Sequence, residues 1–115
     1  MPRSKSIAAR SHRKVKKEAR GFKHARRKRV KVAKESVLKA GQYAYVGRKL
    51  KKRQFRRLWT VRVNAAAREY GMSYSRFMSS LKRAGIEIDR KMLADIAVRD
   101  PEGFKAIVDT ATAKK

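Results

Sequence analysis

The chain has 115 residues, with 34 Lys or Arg against 9 Asp or Glu, and a formal net charge of +25. This length provides at most one domain, and the absence of cysteine excludes disulfide scaffolds, thiolate catalysis and cysteine-ligated zinc sites. No apolar stretch reaches the roughly 18 residues of a membrane-spanning helix, so we predict no membrane partner. A small chain with this charge repels itself unless a polyanion surrounds it, and nucleic acid is the commonest cellular polyanion.

The positive charge is concentrated in the first half of the chain. Residues 1–60 contain 23 basic residues and two acids, Glu18 and Glu35, whereas residues 61–115 contain 11 basic and seven acidic residues. Large apolar side chains are few and scattered within residues 1–40, too few to offset chain entropy. We therefore expect this front segment to be disordered or loosely helical when the protein is alone.

A long helix is predicted in the middle of the chain. From Leu50 the apolar residues follow three–four spacing as far as Gly71, which can end a helix in the left-handed conformation. Gly41 and Gly47 oppose this prediction, because each costs about 1 kcal/mol in a helix interior. A helix from about residue 32 to 71 would be roughly 60 Å long at 1.5 Å per residue. Its predicted apolar stripe consists of Phe55, Leu58, Trp59, Val63, Ala66, Ala67 and Tyr70.

Three shorter helices are predicted after Gly71. Ser73 is a candidate N-cap for a helix that Gly85 ends, and Asp89 can cap the next. The run Asp100-Pro101-Glu102 predicts the start of the last helix. Asp100 supplies a capping carboxylate, Pro101 stands at a position where no amide proton is needed, and Glu102 places an acid at the positive end of the helix dipole. The predicted inward side chains are Phe77, Met78, Leu81, Ala84, Met92, Leu93, Ile96, Ala97, Phe104, Ile107, Val108 and Ala111.

No alternating strand pattern and no hairpin dipeptide interrupts these helices, so the predicted class is all-α. We predict a long basic N-terminal helical arm, residues 1–57, followed by a small helical globular domain, residues 58–115. Four amphipathic segments with short connections are enough for a core of about this size.

The segment 10–31 is the first candidate for nucleic-acid binding. Basic side chains would surround any single helix drawn through it, whereas a membrane-surface helix needs one apolar face. Arginine can fork onto two phosphate oxygens and stack on a base, and lysine supplies a mobile charge. We interpret the segment as one inserted between folded RNA helices, the alternative being a solvated tail or a localisation signal.

The segment 42–59 is the second candidate, because aromatic residues alternate with seven basic residues between positions 48 and 57. This composition is typical of surfaces that combine phosphate contacts with base or ribose stacking. Lys52, Phe55, Trp59 and Arg62 share one helical face. Phe55 and Trp59 are candidates for stacking or for core packing, with core packing favoured for Trp59. Arg62 either pairs with a carboxylate of the small domain or reaches a phosphate.

Signals for catalysis fail when they are inspected. The stretch from Gly41 to Lys49 lacks both the spacing and the Lys-Ser or Lys-Thr pair of a phosphate-binding loop. The Ser79-to-Lys82 spacing of a serine nucleophile has no accompanying motif. His12 and His24 have no acids nearby with which to bind metal. We predict no enzymatic activity, no cofactor, no metal and no small-molecule substrate.

The first 13 residues are basic, bear serine and lack acids, as mitochondrial transit peptides do. The basic character continues well beyond them, and we therefore expect the protein to retain this segment and to work in the cytoplasm. The predicted RNA-contacting residues are Arg3, Lys5, Arg10, His12, Arg13, Lys14, Lys16, Lys17, Arg20, Phe22, Lys23, His24, Arg26, Arg27, Lys28, Arg29, Lys31, Tyr43, Tyr45, Arg48, Lys49, Lys51, Lys52, Arg53, Arg56, Arg57 and Arg62.

Motifs along most of the chain resemble one family, the bacterial-type large-subunit ribosomal protein L20 family. The matching stretches are Gln42-Tyr43-Ala44-Tyr45, Arg48-Lys49-x-Lys51-Lys52-Arg53-x-Phe55-Arg56-x-Leu58-Trp59, Arg62-Val63-Asn64-Ala65-Ala66-x-Arg68, Gly71-Met72-Ser73-Tyr74-Ser75-x-Phe77-Met78, and Asp89-Arg90-Lys91-x-Leu93-Ala94-x-Ile96-Ala97. Such long motifs are highly specific.

The resemblance implies a basic helical arm that penetrates large-subunit ribosomal RNA and a small helical domain nearer the subunit surface. It implies direct binding to that RNA early in subunit assembly, neighbouring ribosomal proteins as partners, and no part in catalysis. Some members repress translation of their own message, which adds the protein's own messenger RNA as an implied partner. The alternative function is that of a general nucleic-acid-condensing or RNA-chaperone protein.

Overall fold

The structure is a computed structural model that describes residues 6–113, and within them it contains helices and connecting turns but no strand. The predicted all-α class is therefore confirmed. Two compact units are present, one ending at Lys49 and the other beginning at Leu50. None of the helices in this described part is both long and apolar enough to cross a membrane. In chain order the helices are α1 (Ile7–Glu18), α2 (Ala25–Lys28), α3 (Val30–Glu69), α4 (Tyr74–Ala84), α5 (Arg90–Arg99) and α6 (Pro101–Ala113).

The segment before α3 consists of two helices separated by a turn. The Ser6 hydroxyl caps α1 by accepting a hydrogen bond from the Ala9 amide at 3.2 Å. After α1 the backbone forms a turn that includes Gly21 at a φ of 83° and His24 at a φ of 55°. Arg29 is extended and separates the four-residue α2 from α3. The basic segment 10–31 is thus broken twice rather than forming one helix.

Helix α3 has 40 residues and begins and ends about two residues before the predicted positions. Both Gly41 and Gly47 lie inside it without a break. Its C-terminus is closed by Gly71 at a φ of 71°. The Met72 amide donates to the Ala67 carbonyl at 3.0 Å, which is the six-to-one bond of a glycine-terminated helix.

The unit that begins at Leu50 has a continuous hydrophobic core. Helix α6 packs against both α4 and α5. At the centre, the rings of Phe77 and Phe104 have centroids 5.2 Å apart, a separation typical of favourable aromatic pairs. The fully buried or nearly fully buried members of this core are Val63, Ala67, Phe77, Leu81, Leu93, Ala94, Phe104, Val108 and Ala111.

The predicted caps position the three short helices. Asp89 accepts hydrogen bonds from the amides of Lys91 and Met92 at 2.7 and 3.1 Å, and Asp100 accepts one from the Gly103 amide at 2.9 Å. Gly85 ends α4 in the left-handed conformation. Ser73 occupies the N-cap position of α4 but its side chain makes no capping bond.

Two apolar residues that were predicted to face inward, Met92 and Leu58, are exposed, and so is Phe55, for which stacking and core packing were both predicted as alternatives. Met92 is 56% exposed, because Leu93 and Ala94 form the buried face of α5 one position further along. Phe55 and Leu58 are 44% and 40% exposed. The helices that cover α3 do not extend back to these positions, so the predicted stripe enters the core only from Trp59 onward.

Candidate nucleic-acid interface

The predicted RNA-contacting residues lie on the surface. All of those within residues 6–113 are exposed except Phe22, which is half-buried. Arg3 and Lys5 lie outside the described residues. Exposure alone is ordinary for Lys and Arg, so their electrostatic surroundings decide what they can bind.

These basic residues lack protein carboxylates as partners. The one ion pair within residues 6–113 joins Arg99 Nε to Asp95 Oδ1 at 2.9 Å, and it lies on the surface of α5. None of the predicted RNA-contacting residues in that range is paired. Their charges are therefore free to replace counterions around phosphate groups.

Arg62 illustrates this directly. It is exposed on α3 beside Trp59 and lines a surface depression with Asp89 and Asp95. Neither carboxylate lies within ion-pair distance of it, since Asp95 is paired with Arg99 instead. Two roles were predicted for Arg62, an ion pair with a carboxylate of the small domain or a contact with a phosphate. The structure does not contain the ion pair.

Helix α1 presents its basic residues on one face. Arg10, Arg13, Lys14 and Lys17 follow the three–four spacing of a single helical surface. Half-buried Val15 lies on another side. No single helix runs through residues 10–31, because the turn after Glu18 ends α1 and the extended Arg29 separates α2 from α3, so the interpretation that basic side chains surround such a helix has no counterpart in the structure.

The basic residues of 20–31 are distributed over a turn, the short α2 and the first turn of α3. All of them are exposed, and His24 is held at a positive φ that residues other than glycine seldom adopt. Positive φ values at Gly21 and His24 and the extended backbone at Arg29 break the segment, so its side chains do not share one helical face. The segment can consequently meet phosphates on more than one side.

Aromatic and basic side chains meet along α3. Lys49 Nζ lies 4.5 Å from the centre of the Tyr45 ring, and Lys51 Nζ lies 6.0 Å from that of Phe55. The Phe55 and Trp59 rings have centroids 6.2 Å apart and planes 27° apart. Trp59 packs against the core, which confirms the preference for core packing at this position. Phe55 is exposed beside it and is therefore available for stacking.

The predicted RNA-contacting residues do not include two basic residues of α3, Lys34 and Lys39. Both are exposed and lie between the two predicted basic segments. Their signal was present, since Lys31 and Lys34 have helical i, i+3 spacing and Lys39 precedes Tyr43 by one turn. Helical spacing, rather than local charge density, would have identified them.

A family model described as "Ribosomal protein L20" matches residues 3–107. The chain belongs to the ribosomal protein L20 family. The match spans α1 to the middle of α6, so it includes both basic segments and most of the core. The resemblance inferred from the motifs is confirmed.

Curated relatives of the L20 family are similar over most of the chain. A "Large ribosomal subunit protein bL20" of Roseiflexus sp. (strain RS-1) is 60% identical over 100 residues, which are 87% of this chain and 86% of that protein. The protein of the same name from Xylella fastidiosa (strain M23) is 60% identical over 104 residues, 90% of this chain and 87% of that protein.

L20 proteins are structural, non-enzymatic components of ribosomes, and membership of the family confirms the prediction that the chain is not an enzyme. The exposed basic surface described above is therefore to be understood as a binding surface.

Proposed function

We propose that this chain is a structural protein of the large ribosomal subunit, where it binds ribosomal RNA directly and promotes subunit assembly in the cytoplasm. The observation that supports this most strongly is the set of exposed, unpaired basic residues on α1, α2 and the first part of α3, in a member of the L20 family. The number of positive charges without carboxylate partners far exceeds what solubility requires.

The proposed mechanism is electrostatic. Lys and Arg side chains displace condensed counterions from closely packed phosphates, and this release of counterions favours binding. With the phosphate charge neutralised, RNA helices can approach one another around the protein. An arginine guanidinium can donate two parallel hydrogen bonds to one phosphate group, and these two bonds fix the orientation of the phosphate relative to the protein. Exposed aromatic residues such as Phe55 and Tyr45 add stacking on unpaired bases.

The two parts of the chain have different proposed tasks. Residues 1–57 form the RNA-penetrating arm, and residues 58–115 form a small domain that fixes the position and direction of α3. This functional boundary follows Arg57 rather than Lys49, because the second basic cluster continues along α3 to that residue.

Further partners follow from the proposed location. Neighbouring large-subunit proteins would contact the small domain, whose surface has nearly balanced charge. The protein's own messenger RNA is a finer proposal, which rests on the behaviour of some members of the family. It predicts that the small domain alone recognises a segment of that message.

Selective RNA binding distinguishes this function from general condensation of nucleic acid. We expect the full chain to bind large-subunit RNA more tightly than an unrelated RNA of equal length. The double variant Phe77→Ala, Leu81→Ala should reduce this ratio, because both side chains lie in the core that holds α3. Filter binding of both RNAs to both proteins gives the ratio.

The matched control is Met92→Ala, since Met92 is exposed and its loss leaves the core unchanged. It should retain the wild-type ratio. A ratio near one for the wild type would mean that the protein responds to charge alone, and the assignment to general condensation would replace the ribosomal one.

A further inference from the structure

An open groove of about 710 Å³ lies within the unit that ends at Lys49. Its walls are the turn around Gly21 and Phe22 on one side and the face of α3 between Val32 and Tyr43 on the other. This volume is within the range of pockets that bind small organic ligands, and a nucleotide is of that size.

The groove has aromatic walls that the protein core does not use. Phe22 is half-buried, and its backbone amide donates to the Ala19 carbonyl at 3.2 Å, which holds the residue in the turn. Tyr43 is 74% exposed. In RNA-binding proteins, rings placed in this way stack on bases that have left the RNA helix.

The rim of the groove is basic. Lys23 and Arg26 line it from the turn and α2, and Lys39 lines it from α3. All three are exposed, and none forms an ion pair within residues 6–113. Charges in this arrangement suit the phosphate groups on either side of a base that occupies the groove.

The unusual member of the lining is Glu35. It is one of only two acids in residues 1–60, and no described Lys or Arg lies within ion-pair distance of it. The neighbouring Ser36 hydroxyl donates to the Val32 carbonyl at 2.8 Å, so it does not provide a hydrogen bond to the carboxylate. Glu35 is exposed and lines the groove, and a free carboxylate repels phosphate, so a ligand that meets it there has to present N–H donors.

The chemistry of the four bases selects among possible ligands. An ionised carboxylate only accepts hydrogen bonds, and its two oxygens suit two parallel donors. The Watson–Crick edge of guanine presents N1–H and N2–H side by side. Adenine and cytosine each place one amino group beside an acceptor nitrogen on this edge, and uracil places one N–H between two carbonyls.

We propose that this groove binds an unstacked guanine nucleotide of RNA. The base lies against Phe22 and Tyr43, its Watson–Crick edge donates to the Glu35 carboxylate, and the flanking phosphates meet Lys23, Arg26 and Lys39. This inference rests on the proposed function, since it names the nucleotide that the RNA-binding surface recognises.

The test compares Glu35→Gln with Glu18→Gln in the full chain. Glu18 is the other acid of residues 1–60, and it lies on α1 away from the groove lining. Both changes add one unit of positive charge, so both should raise general affinity for RNA to a similar degree. Only Glu35→Gln removes the proposed acceptor.

The probes are single-stranded oligouridines with one central guanosine, inosine or adenosine, measured by fluorescence anisotropy at raised salt. Inosine keeps N1–H but lacks the N2 amino group. Wild type and Glu18→Gln should prefer guanosine over adenosine by about tenfold, a value at the lower end for a bidentate base contact. Inosine should be intermediate, and Glu35→Gln should reduce the preference to less than twofold.

A second pair of variants tests stacking. Tyr43→Ala should lower the guanosine preference, whereas Leu38→Ala should leave it unchanged, because Leu38 is exposed on the same helix and does not line the groove. Equal preference for all three probes in the wild type, or a preference that Glu35→Gln retains, would overturn the guanine site. If those results came with selective binding to large-subunit RNA, the proposed function would stand. Loss of that selectivity would contradict the proposed function itself.

Discussion

The two units of the molecule differ in what they bury. In the unit that begins at Leu50, the side chains of Phe77, Phe104, Leu93 and Val63 are completely buried. In the described part of the unit that ends at Lys49, the buried residues are Ala19 and Ala33. Burial of large apolar side chains is the main favourable term in folding. The second unit thus has an internal source of stability that the first lacks.

Net charge also differs between these two units. Residues 1–49 have a net charge of +16, and residues 50–115, although more numerous, have a net charge of +9. Repulsion between the positive charges of residues 1–49 destabilises a compact structure of this segment. Phosphate groups that bind there neutralise the charges and remove the repulsion. The unit that begins at Leu50 is therefore stabilised by its own hydrophobic core, whereas the unit that ends at Lys49 depends for its stability on the partner that it binds.

The largest expected effect comes from breaking the core. Phe77→Ala and Leu81→Ala should each lower the free energy of unfolding by roughly 2 to 5 kcal/mol. A core of about this size supplies only about 3 to 5 kcal/mol in total, so the double variant should be unfolded at room temperature. Urea denaturation followed by the fluorescence of Trp59 measures the change. Val98→Ala, at a 60% exposed position, is the control and should change stability by less than about 0.5 kcal/mol.

Amide hydrogen exchange sharpens the same comparison. In the RNA-free protein, amides of residues 74–112 should be protected through the stability of the core, whereas those of residues 6–40 should exchange much faster, because the buried residues of that segment are Ala19 and Ala33 alone. The expected contrast is at least about a hundredfold in rate. Strong protection throughout residues 6–35 would show that the first unit is stable without RNA, and the comparison would fail.

A smaller effect is expected at a helix cap. Asp100→Ala removes the acceptor of the Gly103 amide and should cost about 1 kcal/mol. Asp109→Ala is a suitable control, because Asp109 is exposed later in the same helix and caps nothing. Thermal unfolding of both variants gives the difference. Equal losses would mean that the Asp100 cap contributes nothing specific.

The smallest effect concerns single phosphate contacts. Removing one charge from the basic face of α1, as in Lys14→Ala, should reduce the slope of log affinity against log salt by roughly 0.7 to 0.9. This corresponds to about a threefold change between 50 and 200 mM salt. Lys105→Ala, on the exposed surface of α6, should leave the slope unchanged. Identical slopes for the two variants would remove the distinction between α1 and α6 as RNA-binding surfaces.

Much of the fold was accessible from sequence because local signals and burial agreed. Asp89, Asp100, Gly71 and Gly85 marked helix ends by mechanisms that need no tertiary information, and all four occupy those positions in the structure. The all-α class followed from helical periodicity without any alternating strand pattern or hairpin dipeptide.

The features of the fold that were not predicted depend on which helices pack against each other, and hydrophobic periodicity along one helix does not reveal this. The stripe of α3 included Phe55 and Leu58, but whether a stripe is covered depends on where the packing helices end. The turn at Gly21 and His24 was not predicted, since glycine alone did not indicate that the basic segment would be interrupted there. Without that turn, the groove that contains Glu35 could not be foreseen.

Crosslinking within purified large subunits tests the central claim most directly. Short-wavelength irradiation followed by mass spectrometry would identify which peptides of this chain are joined to RNA. We expect crosslinks to concentrate in residues 10–57, at aromatic positions such as Tyr45 and Phe55, with few in residues 90–113. Crosslinks located mainly in α5 and α6, or absence of the chain from the large-subunit fraction, would contradict the account.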